Sequence, residues 1–462
     1  MIPLMRQCVF YLLDTIHSPE VSLDNNVRWS RDVNIAVLIG AVISLGCLIG
    51  AFSFLRHKRL IDDLPTSKAL GVFIGLSELK GTVESERPLT SHLAEIPCVL
   101  YSWKVDEHWS RTVTTIGPKG VPQTRRESGW KTVAQGKESV PFYIKDDTSV
   151  IRVVPEGAEI EDKEIFDKTC SRTDPLYFVK GPQNEVANSD HQRRFHETAI
   201  PLHSNLYVIG HARERDDIVA AEIAKDKKSP IFLISMRTEK QVSSSHNLGF
   251  WSFVVLGLLA AVGGVLIGKV IISQNLGENW QLYAIATSGF LLILVLGWVW
   301  TVYNSLVNLR QRVRQGWAQV DIQLKRRNDL IPNLVQVVEG YAAHESQLQE
   351  LVVKMRQQMS ATPPGVKGPD FTGFVPILRV TVERYPDLKA SDLFLKLQKE
   401  LTGTEERIAL ARDYFNQIAT FYNTRLEIVP DTFLAKMMKL APQTLMSASD
   451  FERAPVKVNL VT

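Results

Sequence analysis

Cysteine is scarce in this chain: four residues in 462, Cys8, Cys47, Cys98 and Cys170, with no CxxC pair and no Cys/His cluster at zinc-ligand spacing. A RING, a zinc ribbon and a disulfide scaffold are excluded on that ground. An excess of one charge is missing too, with 53 lysines and arginines against 50 acids and a net charge of +3. No basic surplus argues for nucleic acid as a partner. At roughly 100–200 residues per domain the length allows two or three units.

Three stretches lack charge. Residues 33–55 are 23 uncharged residues, 250–268 are uncharged up to Lys269, which can snorkel before Val270 to Ile272, and 283–303 supply 21 more. A hydrocarbon core of about 30 Å needs about 20 helical residues, so these predict three transmembrane helices at 33–55, 250–272 and 283–303. The segment SQNLGENWQL, 273–282, reads as a headgroup turn, and Trp251, Trp280, Trp298, Trp300 and Tyr303 stand near the ends of the spans, where aromatic rings settle at an interface. No ionisable group interrupts a span interior, so an ion or proton pathway is not expected. Gly46 with Gly50 and Gly264 with Gly268 are spaced for close helix approach; lipid-facing glycine, helix pairing and homo-oligomerisation all remain open.

Basic flanks set the expected orientation. Arg28 and Arg31 precede the first span, whereas Arg56, Lys58, Arg59 and Lys68 follow it, and Arg310, Arg312, Arg314, Lys325, Arg326 and Arg327 follow the third. Retention of such residues in the cytoplasm predicts a multi-pass protein of the cell's inner membrane, with residues 56–249 and 304–446 both inside. A cleaved signal peptide is not expected, because the first long apolar run is followed by RHKR, not by small residues. Residues 1–32 read as an N-terminal segment containing a short apolar run, and 447–462 as an irregular tail.

Between the first two spans, short runs such as CVLYSWKV, SVIRVV and PIFLISM alternate with Gly, Pro, Asp and Asn turn signals, predicting a mainly-β (α+β) domain. Its charge balances at 28 basic and 28 acidic residues over 56–249. LYVIGHARE reads as a strand ending at Gly210, followed by a helix over Asp216 to Lys225. His191 and His196, in the polar run DHQRRFHE with no HExxH, read as solvated loop histidines over a metal pair. Cys98, in an apolar run, reads as a buried thiol.

The segment LKGTVESERPLTSHLAEIPCVLYSWKVDEHW, with Pro141, Phe142 and Gly157 and then PIFLISMRTEK before the second span, resembles the GIDE-type domain. That domain occurs in mitochondrial membrane-anchored E3 ubiquitin ligases and in prokaryotic membrane proteins. The resemblance covers about residues 70–245. In those ligases the activity resides in a RING, whose cysteines this chain lacks, so the resemblance implies a membrane-adjacent β module without ubiquitin chemistry.

After residue 303 the periodicity turns helical. Trp317, Val320, Leu324, Ile331, Leu334, Val338, Tyr341, Leu348, Val352 and Met355 form an apolar stripe, and Pro332 is expected to kink or divide the helix. SATPPGVKGPD, 360–370, reads as a flexible linker before a short helix over Phe371 to Glu383. A second long helix, capped by Ser391 and ending at Pro430, carries Leu393, Leu397, Leu401, Ile408, Ala411, Phe415, Ile418, Tyr422 and Leu426. Phe433, Met437, Met438 and Leu440 suggest a short final helix. Two such stripes bury each other best in an antiparallel α-helical bundle.

This region resembles the LemA family over residues 302–440. The resemblance is carried by Asn304, RRNDLIPNL from Arg326 to Leu334, Gly340-Tyr341, His344-Glu345, Tyr385-Pro386, Leu388, Glu405, Ala411-Arg412 and Tyr422-Asn423, with YFNQI a local departure that inserts Phe415 between Tyr414 and Asn416. It implies an antiparallel helical bundle tethered by a membrane helix, with no enzymatic activity established for the family. Antiparallel pairing would place Arg326, Arg327 and Asp329 near Glu405 and Arg412, as a charged layer or a partner surface. Arg310, Arg312 and Arg314 are expected to contact anionic lipid.

No catalytic, cofactor or metal constellation is legible. The expected function is that of a non-enzymatic membrane scaffold or adaptor in envelope maintenance or stress response. Its expected partners are membrane lipids and other membrane proteins. The alternative is a membrane-bound hydrolase or modification enzyme acting through the β domain, which needs a clustered acid, base or metal.

Overall fold

The computed structural model describes residues 25–116, 122–215, 220–227, 229–271, 280–342 and 392–446. The N-terminal apolar run, the linker at 360–370, the short helix at 371–383, the tail and nearly all of the 273–282 turn lie outside them. The chain divides into two compact units, Met1–Arg56 with Ser245–Thr301, and His57–Ser244 with Val302–Thr462.

The first unit draws on three helices, α1 (Asn25–Asp62), α2 (Glu239–Ile271) and α3 (Gln281–Ala342). All three are long and apolar enough to cross a membrane. Leu38, Val42, Leu259, Leu292 and Leu296 lie more than half exposed, the arrangement expected of a lipid-facing surface and not of a soluble core. Small residues set the closest approach. A Cβ on Gly40 would sit 2.7 Å from Gly264 Cα and 2.8 Å from Ala260 O, and one on Gly264 would sit 3.1 Å from Ala36 O. Ala36-xxx-Gly40 thus meets Ala260-xxx-Gly264, a small-xxx-small contact between backbones. Of the glycines singled out by spacing, Gly264 takes part, and Gly50 lies under the Phe253 ring.

In the second unit the β domain has two sheets. Strands β1 (Thr66–Ser67), β2 (Gly75–Glu84), β6 (Phe142–Lys145), β7 (Val150–Val153), β8 (Glu159–Glu161), β11 (Asn205–Glu214), β12 (Ala221–Ala224) and β13 (Leu233–Ser235) form one. Within it β2, β6, β7, β12 and β11 close into a ring, because β11 also pairs with β2. Leu79, Val83, Phe142, Ile144, Val153, Val208 and Ile223 fill the interior, as alternation of inward apolar positions requires. The second sheet contains β3 (Leu89–Thr90), β4 (Pro97–Ile116), β5 (Pro122–Ser139), β9 (Lys163–Ser171) and β10 (Ser189–Pro201).

Three local expectations change. The strand expected to stop at Gly210 continues to Glu214, and within the stretch read as a helix residues 221–224 are strand β12, paired with β11 from His211↔Ala224 to Glu214↔Ala221. Hairpin pairing supplies the backbone partners that a helix would otherwise provide. DHQRRFHE lies in β10 and not in a loop: Arg193, Phe195 and Glu197 are buried while Arg194 and His196 point outward, the alternation of a strand, with the inward Arg193 paired to Glu107.

The helical region pairs the C-terminal part of α3 with α4 (Asp392–Glu427), followed by α5 (Asp431–Met437). Trp317 meets Phe415 edge-on and Arg327 meets Glu405, so contacts run in opposite order and the two helices are antiparallel. Leu309, Val313, Val320, Ala411, Phe415, Ile418 and Tyr422 form their shared core. Phe394 is buried where Leu393 was expected, and Leu393 is 57% exposed. Pro332 lies inside α3 without dividing it; a proline removes one donor while adjacent turns keep theirs. α5 docks through Leu434 and Ala435, leaving Phe433 and Met437 exposed.

Candidate functional site

The second unit contains a junction at which the two modules meet through buried charge. It begins on β2. Glu78 is fully buried, accepts hydrogen bonds from the Thr66 hydroxyl at 2.6 Å and the Tyr207 hydroxyl at 2.9 Å, and lies 3.2 Å from Lys80 Nζ. Lys80 reaches Glu239 at 2.7 Å. Burial pushes the Glu78 carboxyl above the usual range, against the Thr66 hydrogen bond and the Lys80 charge. Tyr207 is likewise pushed up, by burial and by Glu78.

Beside it, the end of α1 meets α3, α4 and α5. Arg59 donates to both oxygens of Asp431, at 2.8 and 3.1 Å. Asp63 accepts from Arg425 Nε at 2.9 Å and from the Ser305 hydroxyl at 2.9 Å. Arg425 also lies 3.7 Å from Asp431, and Asp62 takes Lys58 and the Ser243 hydroxyl. Asp431 is 2% exposed and Asp63 6%, so these charges depend on one another for solvation. Burial alone would lower the basicity of Arg425, but Asp63, Asp431 and Asp62 raise it. The two modules also touch through apolar groups: Phe73 packs edge-on against Tyr414 at 5.5 Å, and Gly71 lies against Leu410.

The residues singled out from sequence are only partly gathered. Arg327 and Glu405 lie 3.5 Å apart, and burial pushes the Glu405 carboxyl up against the pull of Arg327. Arg326 is exposed and near Arg407, Asp329 is exposed, and Arg412 faces burial that lowers its basicity. Arg310 and Arg314 are exposed near Tyr422. Arg312 turns inward toward Tyr414 and Asp63, and desolvation lowers its basicity.

Two asparagines of α4 hold an extended segment. Asn416 donates to Met446 O at 3.0 Å and accepts from Met446 N at 2.8 Å, and Asn423 makes the same pair with Gln443, at 2.8 Å each way. Seven residues is two helical turns, so both amides lie on one face and act as strand surrogates for residues 443–446. Asn423 stands in the quoted Tyr422-Asn423 pair, and Asn416 in the departing YFNQI run; periodicity alone did not reveal this role.

Sequence reasoning missed Arg59, Asp63, Glu78, Arg425 and Asp431. A usable signal was the acidic pair Asp62-Asp63, two residues behind RHKR, where the end of an apolar helix gives no reason for acids. The junction pairs guanidinium groups and hydroxyls with carboxylates contributed by distant segments, an arrangement that couples those segments. Of the cysteines, Cys98 is buried, and burial with nearby Glu197 and Glu138 pushes its thiol up to about 11; a thiol there is protonated at neutral pH.

Comparisons with known proteins agree with this two-part layout. Residues 316–460 match the model of the LemA family, and residues 118–266 match the GIDE model, described as E3 Ubiquitin ligase. Protein LemA of Metamycoplasma hominis is 25% identical over 173 residues, which is 36% of this chain and 79% of that protein. The chain therefore carries a GIDE-type region followed by a LemA-type region.

Proposed function

We propose that this chain, joining a GIDE-type region to a LemA-type region, is a non-enzymatic integral membrane adaptor that presents both modules as one body to partners at the bilayer. The observation that carries the reading is the Arg59–Asp431 and Asp63–Arg425 junction, which ties the end of α1 and the β domain to the LemA-type helices. Two modules packed together share one side of any bilayer crossed by the three helices. In this reading that side is the cytoplasm of an inner membrane, which the basic residues after the first and third apolar stretches favour. The LemA-type helices complete an antiparallel bundle in this reading, with Arg310 and Arg314 touching anionic headgroups. Envelope maintenance or stress response is the proposed setting.

The test is crosslinking and mass spectrometry on native membranes, with external lysine labelling of intact cells. Crosslinks from both modules to the same membrane proteins, with both modules shielded from an impermeant reagent, are expected. Recovery of no partner, labelling of both modules from outside, or turnover of an ester or peptide substrate by the purified chain would overturn it.

A further inference from the structure

We propose that Glu164, Asp167 and His196, on the outer face of the second sheet, form a binding site for a divalent transition-metal cation. Their ligand atoms lie within 4.8 Å of one another. His196 Nδ1 is 3.4 Å from Glu164 Oε2 and 3.5 Å from Asp167 Oδ2. Those separations exceed the 2.7–3.2 Å of an ordinary N–H···O hydrogen bond. They match the edge of a coordination tetrahedron, about 3.4 Å for bonds of about 2.1 Å.

The backbone supplies an independent argument. Residues three apart in a regular strand point to opposite faces, so Glu164 and Asp167 of β9 should not share one. The pairing with β10 slips by one residue here: Glu197 faces Phe166, but Thr198 faces Glu164. Ile165 is the extra residue of a β-bulge, and the bulge returns Glu164 to the face that carries Asp167 and its direct partner His196. Bulges re-aim side chains in this manner beside functional sites.

The chemistry is that of a hard-to-borderline ion. Two carboxylates bring two negative charges, one imidazole brings a nitrogen, and side-chain exposures of 36% for His196, 32% for Asp167 and 57% for Glu164 leave room for water in the remaining positions. Arg194 lies 3.5 Å from Asp167 on the same face and would yield its contact to the ion. Lys104, opposite His196 on β4, is held by Asp106 at 2.8 Å. The site is separate from the inter-module junction, so its failure leaves the adaptor reading untouched.

Full-length protein in detergent, stripped with chelator and titrated with Zn2+ in a calorimeter, tests this. One ion per chain is expected, with affinity reduced at least about ten-fold in Asp167→Asn and in His196→Asn, and unchanged in His203→Asn, whose exposed imidazole lies 3.1 Å from Glu84. Absence of stoichiometric uptake, equal affinity in the Asp167 and His196 variants, or an equal loss in His203→Asn overturns the assignment. Because all three ligands are on the outer face, unchanged melting of each variant without zinc is expected; nuclear magnetic resonance of the His196 ring on adding Zn2+ gives a second readout, and an unmoved signal counts against the site.

Discussion

Arg59 and Asp431, 372 residues apart in the chain, are joined by a two-pronged ion pair inside the second unit, with side chains 11% and 2% exposed. Asp63 and Arg425, 362 residues apart, meet beside it at 2.9 Å. The Arg59–Asp431 pair fastens the stretch leaving the first apolar helix to the last helix of the LemA-type region.

Removing one member leaves the other charged and out of water. Asp431→Asn is therefore expected to lower stability by about 3–5 kcal/mol, read as a fall in the denaturation midpoint of the full chain in detergent. The double variant Arg59→Met with Asp431→Leu should recover most of that loss. A single variant as stable as the parent would show that the junction is solvated and contributes little.

The crossing at Gly40 and Gly264 makes a sharper demand on shape. Gly264→Val must push the two helix backbones apart, at a cost of about 1–3 kcal/mol, whereas Gly263→Val has open space at the same depth. A Cβ on Gly257 would sit 3.1 Å from that of Cys47, so in a Gly257→Cys background a disulfide to Cys47 is expected to form with no further change and with Gly263→Val, and to lose yield with Gly264→Val. Equal yields in all three would remove the glycine contact from the account.

Glu78 gives a pH dependence of defined sign. Its carboxyl is raised above the ordinary 4.5 by burial, so the folded chain keeps a proton that the unfolded chain gives up. The associated stability is complete below 4.5 and is lost as pH rises through the folded value. Glu405 acts in the same direction. Glu78→Gln cannot titrate but can still accept from Thr66 and Tyr207, so its stability relative to the parent should climb between about pH 4 and about pH 8. Parallel denaturation midpoints across that range would contradict this.

Asn416→Ala and Asn423→Ala each delete a reciprocal pair of hydrogen bonds to the 443–446 segment. Each is expected to cost about 1–3 kcal/mol and to raise amide hydrogen exchange at Gln443 and Met446 while leaving the middle of α4 protected. Unchanged exchange at those amides would show that Met446 alone anchors the segment.

The sequence by itself determined the three long apolar helices, the mainly-β character of the region between the first two and the striped helix α4, because those follow from local pattern: uncharged runs at 33–55, 250–268 and 283–303, short apolar runs between turn signals in the β domain, and a three-and-four stripe through Ile408, Phe415 and Tyr422; the strand at 221–224 and the strand through DHQRRFHE did not show in it. It also carried both family resemblances. Choice of partners was decided elsewhere. Arg59 and Asp63 are four apart where α1 ends and could pair locally, yet Arg59 binds Asp431 while Asp63 binds Arg425 and Ser305. An exposed pair at that spacing is worth only about 0.3–0.5 kcal/mol, whereas an unmatched charge in a buried junction costs several. The bulge that turns Glu164 toward His196 is decided the same way, by the register of β9 against a strand that begins 18 residues after β9 ends. Spacing along a chain reports neighbours along a chain; burial of distant segments against each other sets which charges and which faces finally meet.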